Sequence, residues 1–111
     1  MTSFVVRREA EADIDEAYAW YETRSVGLGD RFLDAVEATI GLVRETPQRF
    51  PVKHREPDLT IRRALVEGFP YGVFFIWNEV PAATSVIACM HAPSLPTLSE
   101  TSIPPEFRVG G

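Results

Sequence analysis

The residues of this chain that could do chemistry are few and scattered. His91 lies at the end of an apolar run and could serve as a base or acid near neutral pH, although a lone histidine at a strand end more often holds a structural hydrogen bond. His54 sits between Lys53 and Arg55 in a proline-punctuated stretch and reads as loop decoration. Arg49, Lys53, Arg55, Arg62 and Arg63 stand against only Glu56 and Asp58, a basic stripe able to bind an anion. The net charge of −5 nevertheless argues against a protein held on nucleic acid by charge alone, and a solvated loop and strand edge is the commoner fate of such a stripe. Trp20, Tyr21, Phe74, Phe75 and Trp77 could stack bases, but without interleaved cations they suit packing better. Cys89 has apolar neighbours and no adjacent cation to lower its pKa, so it is no nucleophile. The scattered acids of "EAEADIDEAYAWYE" do not make a metal site, and no phosphate-binding glycine loop, triad or zinc signature occurs.

Length and composition set the frame for these groups. A chain of 111 residues is one domain, able to bury about 65% of its unfolded surface without staples. A single cysteine excludes an internal disulfide and a cysteine-based zinc cluster, and it fits a reducing cytosol. No run approaches the roughly 20 apolar residues of a membrane span and no signal-peptide core is present, so a cytoplasmic protein is expected. The excess acid is confined to the first half: residues 1–46 hold five Arg against ten Asp/Glu, and residues 47–111 hold six Lys/Arg against six Asp/Glu.

The elements that must position these groups can be read from hydrophobic period. "SFVV" (Ser3 to Val6) is a short strand. Ala10, Ile14, Ala17, Tyr18 and Tyr21 recur at helical spacing, with Glu9, Glu11 and Asp13 at the positive end of the helix dipole. "SVGLGD" breaks this helix, and Phe32, Ala35, Val36, Thr39, Ile40 and Val43 mark a second one that Pro47 ends. So short a link requires an antiparallel helical hairpin. Residues 47–58 read as a loop. Leu59 to Val66, Tyr71 to Asn78 and Thr84 to Ala92 then form an antiparallel meander, with the first strand pairing at an edge. On this pattern His91 shares a face with Ile87 and Cys89. The expected fold is α+β, in the order β-α-α-β-β-β, with the hairpin on one face of a small antiparallel sheet. Residues 1–92 form the domain, and 93–111, rich in Pro, Ser and Thr and without period, form a tail.

One strand raises a difficulty. Val73, Phe75 and Trp77 fall on one face of "YGVFFIWN" while Phe74 and Ile76 fall on the other, so both faces are apolar. A hairpin covers only one of them. The other requires either the tail, through Leu95, Leu98, Ile103 and Phe107, or a partner chain.

The succession of "DIDEAYAWYE", "GLGDRFLDAVEATI", "PQRFP" and "IRRALVEGFPYGVFF" leading to "IACMHA" resembles the ParE branch of the RelE/ParE toxins of bacterial toxin-antitoxin (plasmid stabilisation) systems, over about residues 3–92. The resemblance implies a small toxin without cofactor or metal, held in a hetero-oligomer by a cognate antitoxin whose C-terminal segment wraps its apolar surface; Phe74, Phe75, Ile76 and Trp77 are the candidate contacts. ParE-like members inhibit DNA gyrase and have no accepted catalytic set. RelE-like members cut mRNA on the ribosome, which would enlist Arg62 or Arg63 on the phosphate and His91 as acid or base. This sequence departs from that pattern: Tyr71 is followed by Gly72 where the nuclease branch commonly carries Tyr-Arg, and "APSLP" follows His91 in place of basic residues. The expected function is therefore a toxin that binds a protein target such as gyrase. A ribosome-dependent endonuclease and a non-toxic antitoxin-binding remnant are the alternatives.

Overall fold

The computed structural model describes residues 3–56 and 59–93. Strand β1 (Ser3–Val6) leads into helices α1 (Arg8–Arg24) and α2 (Leu28–Glu45), a 3-10 turn (Pro47–Arg49), and strands β2 (Val52–Glu56), β3 (Leu59–Leu65), β4 (Tyr71–Asn78) and β5 (Ala83–His91). The five strands form one sheet in the order β1-β5-β4-β3-β2. Strand β1 is parallel to β5, and the other pairs are antiparallel. This is the expected α+β hairpin-on-sheet fold with one strand more than expected.

The additional strand is β2, in the stretch assigned above to a loop. Pro47 opens the 3-10 turn and Pro51 stands just before β2, so prolines delimit the segment without interrupting it. "VKHRE" carries little apolar alternation because β2 is the last strand of the sheet and pairs on one side only, where charged residues also discourage further pairing.

The helical hairpin is fixed by a carboxylate. Three residues join α1 to α2, and Gly27 takes a left-handed φ of 88° that side chains disfavour. Glu22 reaches from the last turn of α1 to accept hydrogen bonds from the backbone N–H of Gly29 (2.8 Å) and Gly27 (3.1 Å). It thereby satisfies orphan donors at the start of α2 and places negative charge at that helix's positive end. Gly29 permits the approach, since a Cβ there would lie 2.8 Å from the Tyr18 carbonyl oxygen. Replacing Glu22 by Ala should cost about 1–3 kcal/mol, while Glu22→Gln keeps an acceptor and should cost less. Urea denaturation of the two variants checks the order.

Two cores lie on the two sheet faces. Phe32, Val36 and Val43 of α2 and Ala10, Ile14, Ala17 and Tyr21 of α1 pack on Ala64, Val73, Phe75, Val86 and Cys89. On the opposite face Leu59, Ile61, Phe74, Ile76, Ala83, Ile87 and Ala88 form a second buried cluster, with Phe74 at 0% and Ile76 at 1% exposure. The second face is thus dry within the chain. Leu95, Leu98, Ile103 and Phe107, the tail residues considered for its cover, lie outside the described residues.

A β-bulge corrects the expected phase of the last strand. Phe74 pairs with Ala88 and Phe75 with Val86, which leaves Ile87 as the extra residue of β5. Ile87 therefore joins the second cluster, while Cys89 stays under the helices. His91 shares its face with Cys89 and not with Ile87.

Candidate functional site

Of the three side chains considered for mRNA cleavage, Arg62 stands apart from His91, whereas the Arg63 guanidinium reaches the residue that follows His91. Arg62, on the helix side of β3, donates from Nη1 to the carbonyl oxygens of Phe50 (2.7 Å) and Gln48 (3.3 Å), and its guanidinium lies 5.5 Å from the Trp77 ring centroid. It ties β3 to the 3-10 turn. Arg63 points to the opposite face and donates from Nη1 to the carbonyl of Ala92. Its aliphatic stem crosses Gly72, where a Cβ would stand 2.8 Å from Arg63 Cγ. The glycine in place of a second cation therefore leaves room for the first. His91 is exposed and its ring packs on Tyr71, centroids 4.8 Å apart. Arg62 pairs with Phe75 and His91 with Tyr71, so the two are separated by four residues of β4, about 13 Å along the strand.

The remaining residues singled out from sequence also take definite places. Arg49, Lys53 and Arg55 are exposed around the 3-10 turn and β2, a basic rim at one end of the sheet. Phe75 lies beneath the hairpin, its ring 5.9 Å from Phe50, and Trp77 packs against the same core. Phe74 and Ile76 belong to the other face. The four candidate contacts are thus divided between two cores.

Sequence reading missed a cleft between α1 and β5. Asp13, Glu16, Ala17, Trp20, Tyr71, Cys89, Met90 and His91 line a space of about 420 Å³. It exists because β1 ends opposite Val86, so the rest of β5 has no strand beside it on that edge. The backbone N–H of Cys89 would be left without a partner there, and Asp13 Oδ2 accepts it at 3.0 Å. Burial raises the Asp13 pKa from its ordinary value, partly offset by this hydrogen bond, with Glu16 and Glu9 adding to the rise. The signal was the helical spacing of Asp13, Glu16, Ala17 and Trp20, which looks like a solvated face until β5 lies beside it.

The Cys89 thiol is pushed up to about 12, first by burial and then by the Asp13 charge. It stays protonated at neutral pH. Iodoacetamide at pH 8 should therefore label Cys89 only in denaturant. Because the folded pKa lies above the 9.0 of a free cysteine thiol, the unfolded chain releases this proton first, and the thiol lowers stability as pH rises from about 9 to about 12. Cys89→Ser should weaken that alkaline loss, measured as the pH dependence of the urea midpoint.

Among the described residues no three His, Cys, Asp or Glu side chains are grouped to hold a metal, and no helix is long and apolar enough to cross a membrane. No curated protein matches the chain. The structure of a chromosomal ParDE toxin-antitoxin system from P. aeruginosa is similar over 82% of this chain and 96% of that one, with a TM-score of 0.60 at 20% identity. At that identity the likeness establishes a shared fold. Residues 4–92 match the family model described as ParE toxin of type II toxin-antitoxin system, parDE. The succession of pieces read from the sequence, the hairpin on its sheet and this match agree, and the chain belongs to the ParE toxin family.

Proposed function

We propose that the chain is a cytoplasmic toxin that acts by binding a protein, DNA gyrase, and that a cognate antitoxin neutralises it in a hetero-oligomer. The observation that carries this reading is that both candidate arginines are committed to backbone carbonyls. Arg62 bonds two carbonyls and lies about 13 Å along β4 from the level of His91, and Arg63, whose stem is on the opposite face, spends its guanidinium on the Ala92 carbonyl beside His91. Cleavage of RNA needs a cation on the phosphate, a base for the 2′-hydroxyl and an acid for the leaving oxygen within reach of one phosphorus. This arrangement supports binding over cleavage.

The antitoxin is assigned the basic rim of Arg49, Lys53 and Arg55 for its acidic residues, since complementary charge orients such pairs. Of the four candidate contacts, Phe74, Phe75 and Ile76 are buried within the chain and hold strand β4 in place, and half-buried Trp77 is the side chain left for the antitoxin to touch directly. Expression of the chain should arrest growth, and the product of the neighbouring reading frame should relieve the arrest. Primer extension on RNA from the arrested cells should show no new cuts. Codon-specific cuts abolished by His91→Ala would establish the endonuclease instead, and absence of arrest would favour the non-toxic remnant.

A further inference from the structure

The α1–β5 cleft has a chemistry that the binding reading does not use. Its wall on α1 carries two carboxylates one turn apart, Asp13 and Glu16, followed by Trp20, a large aromatic left 49% exposed. Across from them stand Tyr71 and His91, their rings in tilted contact at 46°. No Lys or Arg lines the cleft, and among the described residues neither Asp13 nor Glu16 has a cationic partner. Helix α1 as a whole carries six Asp/Glu against two Arg, so the field at the opening is negative. Trp20 already accepts a guanidinium within the chain: Arg24, one turn on, lies 4.4 Å from its ring centroid.

We propose that this cleft receives an arginine side chain presented by the antitoxin, with the guanidinium between the Asp13 and Glu16 carboxylates and its flat face on the aromatic wall. The inference deepens the partner reading above and rests on it. The occupant follows from charge complementarity and shape. A planar guanidinium can pair with carboxylates and lie against a ring in one pose, which a compact ammonium does less well. The unpaired oxygen of Asp13 is available without disturbing the Cys89 hydrogen bond, which uses Oδ2 alone. The antitoxin would then meet the toxin with opposite signs at two places: acids at the Arg49 to Arg55 rim and an arginine at α1.

The test uses the full chain labelled with nitrogen-15 and a blocked pentapeptide of alanines with one central arginine. Its counterpart carries citrulline, which has the same shape without the charge. The arginine peptide should shift the Trp20 indole N–H and the Cys89 and His91 amides, and the citrulline peptide should bind at least tenfold more weakly. Glu16→Gln should weaken arginine-peptide binding tenfold, and Glu11→Gln, an exposed acid elsewhere on α1, should leave it unchanged. Equal shifts with both peptides, equal loss with both variants, shifts confined to other residues, or no shift at millimolar peptide would each overturn the proposal. None of these outcomes depends on toxicity, so the cleft can fail while the toxin reading stands, and the reverse.

Discussion

Replacing Phe32 by Ala is expected to remove about 3–5 kcal/mol of stability, a large part of the roughly 5–15 kcal/mol that holds a domain of this size. Phe32 is 0% exposed and joins three parts of the chain. Its ring centroid lies 5.2 Å from Tyr21 of α1, 5.3 Å from Phe69 of the β3–β4 turn and 5.1 Å from Tyr71 of β4. Phe69 and Tyr71 meet it edge-on, the arrangement aromatic quadrupoles favour. Its loss leaves a cavity that neither helix can close without sliding against the sheet, and the short link held by Glu22 restrains that movement. Urea denaturation measures the change. A loss below 1 kcal/mol would mean that the helices do not pack on the sheet through this residue.

Phe74→Ala is expected to cost a similar 3–5 kcal/mol, although it lies on the face away from the helices. Phe74 is 0% exposed, with Ile61 and Ile76 at 1% beside it in the second cluster. A wet face would give a much smaller cost, because truncating a partly solvated ring forfeits little burial. Measured on the isolated chain, the substitution therefore asks whether the second core is complete without a partner. Repeating it in a chain ending at Pro93 measures what residues 94–111 contribute to that core. A cost below 1 kcal/mol in the full chain would show that the face is solvated until a partner binds.

The helices and the meander are legible in sequence because each has a strong period of its own. Ala10, Ile14, Ala17 and Tyr21 form a single stripe, as do Phe32, Val36, Thr39 and Val43, and these are buried where the period puts them, while Tyr18, Ala35 and Ile40 of the same stripes are half-buried. Strand β2 is not legible, since an edge strand needs no apolar alternation and its prolines look like loop punctuation. The bulge at Ile87 leaves no compositional mark, so simple alternation assigns the rest of β5 the wrong company. Arg62 and Arg63 show why a site is harder to read than a fold. As residue types they could grip phosphate, yet their fate is decided by the carbonyls of Gln48, Phe50 and Ala92 and by the space over Gly72, none of which carries a signal in a one-dimensional pattern. The α1–β5 cleft is hidden for the same reason, being assembled from residues such as Asp13 and Cys89 that lie far apart in the chain.

The central claim, that the chain acts by binding gyrase and not by cutting RNA, is tested most directly by supercoiling of relaxed plasmid with purified gyrase and added toxin. The account predicts that the chain slows supercoiling in proportion to its concentration and that His91→Ala inhibits as well as the parent chain. Supercoiling at the uninhibited rate with excess folded chain present would contradict it.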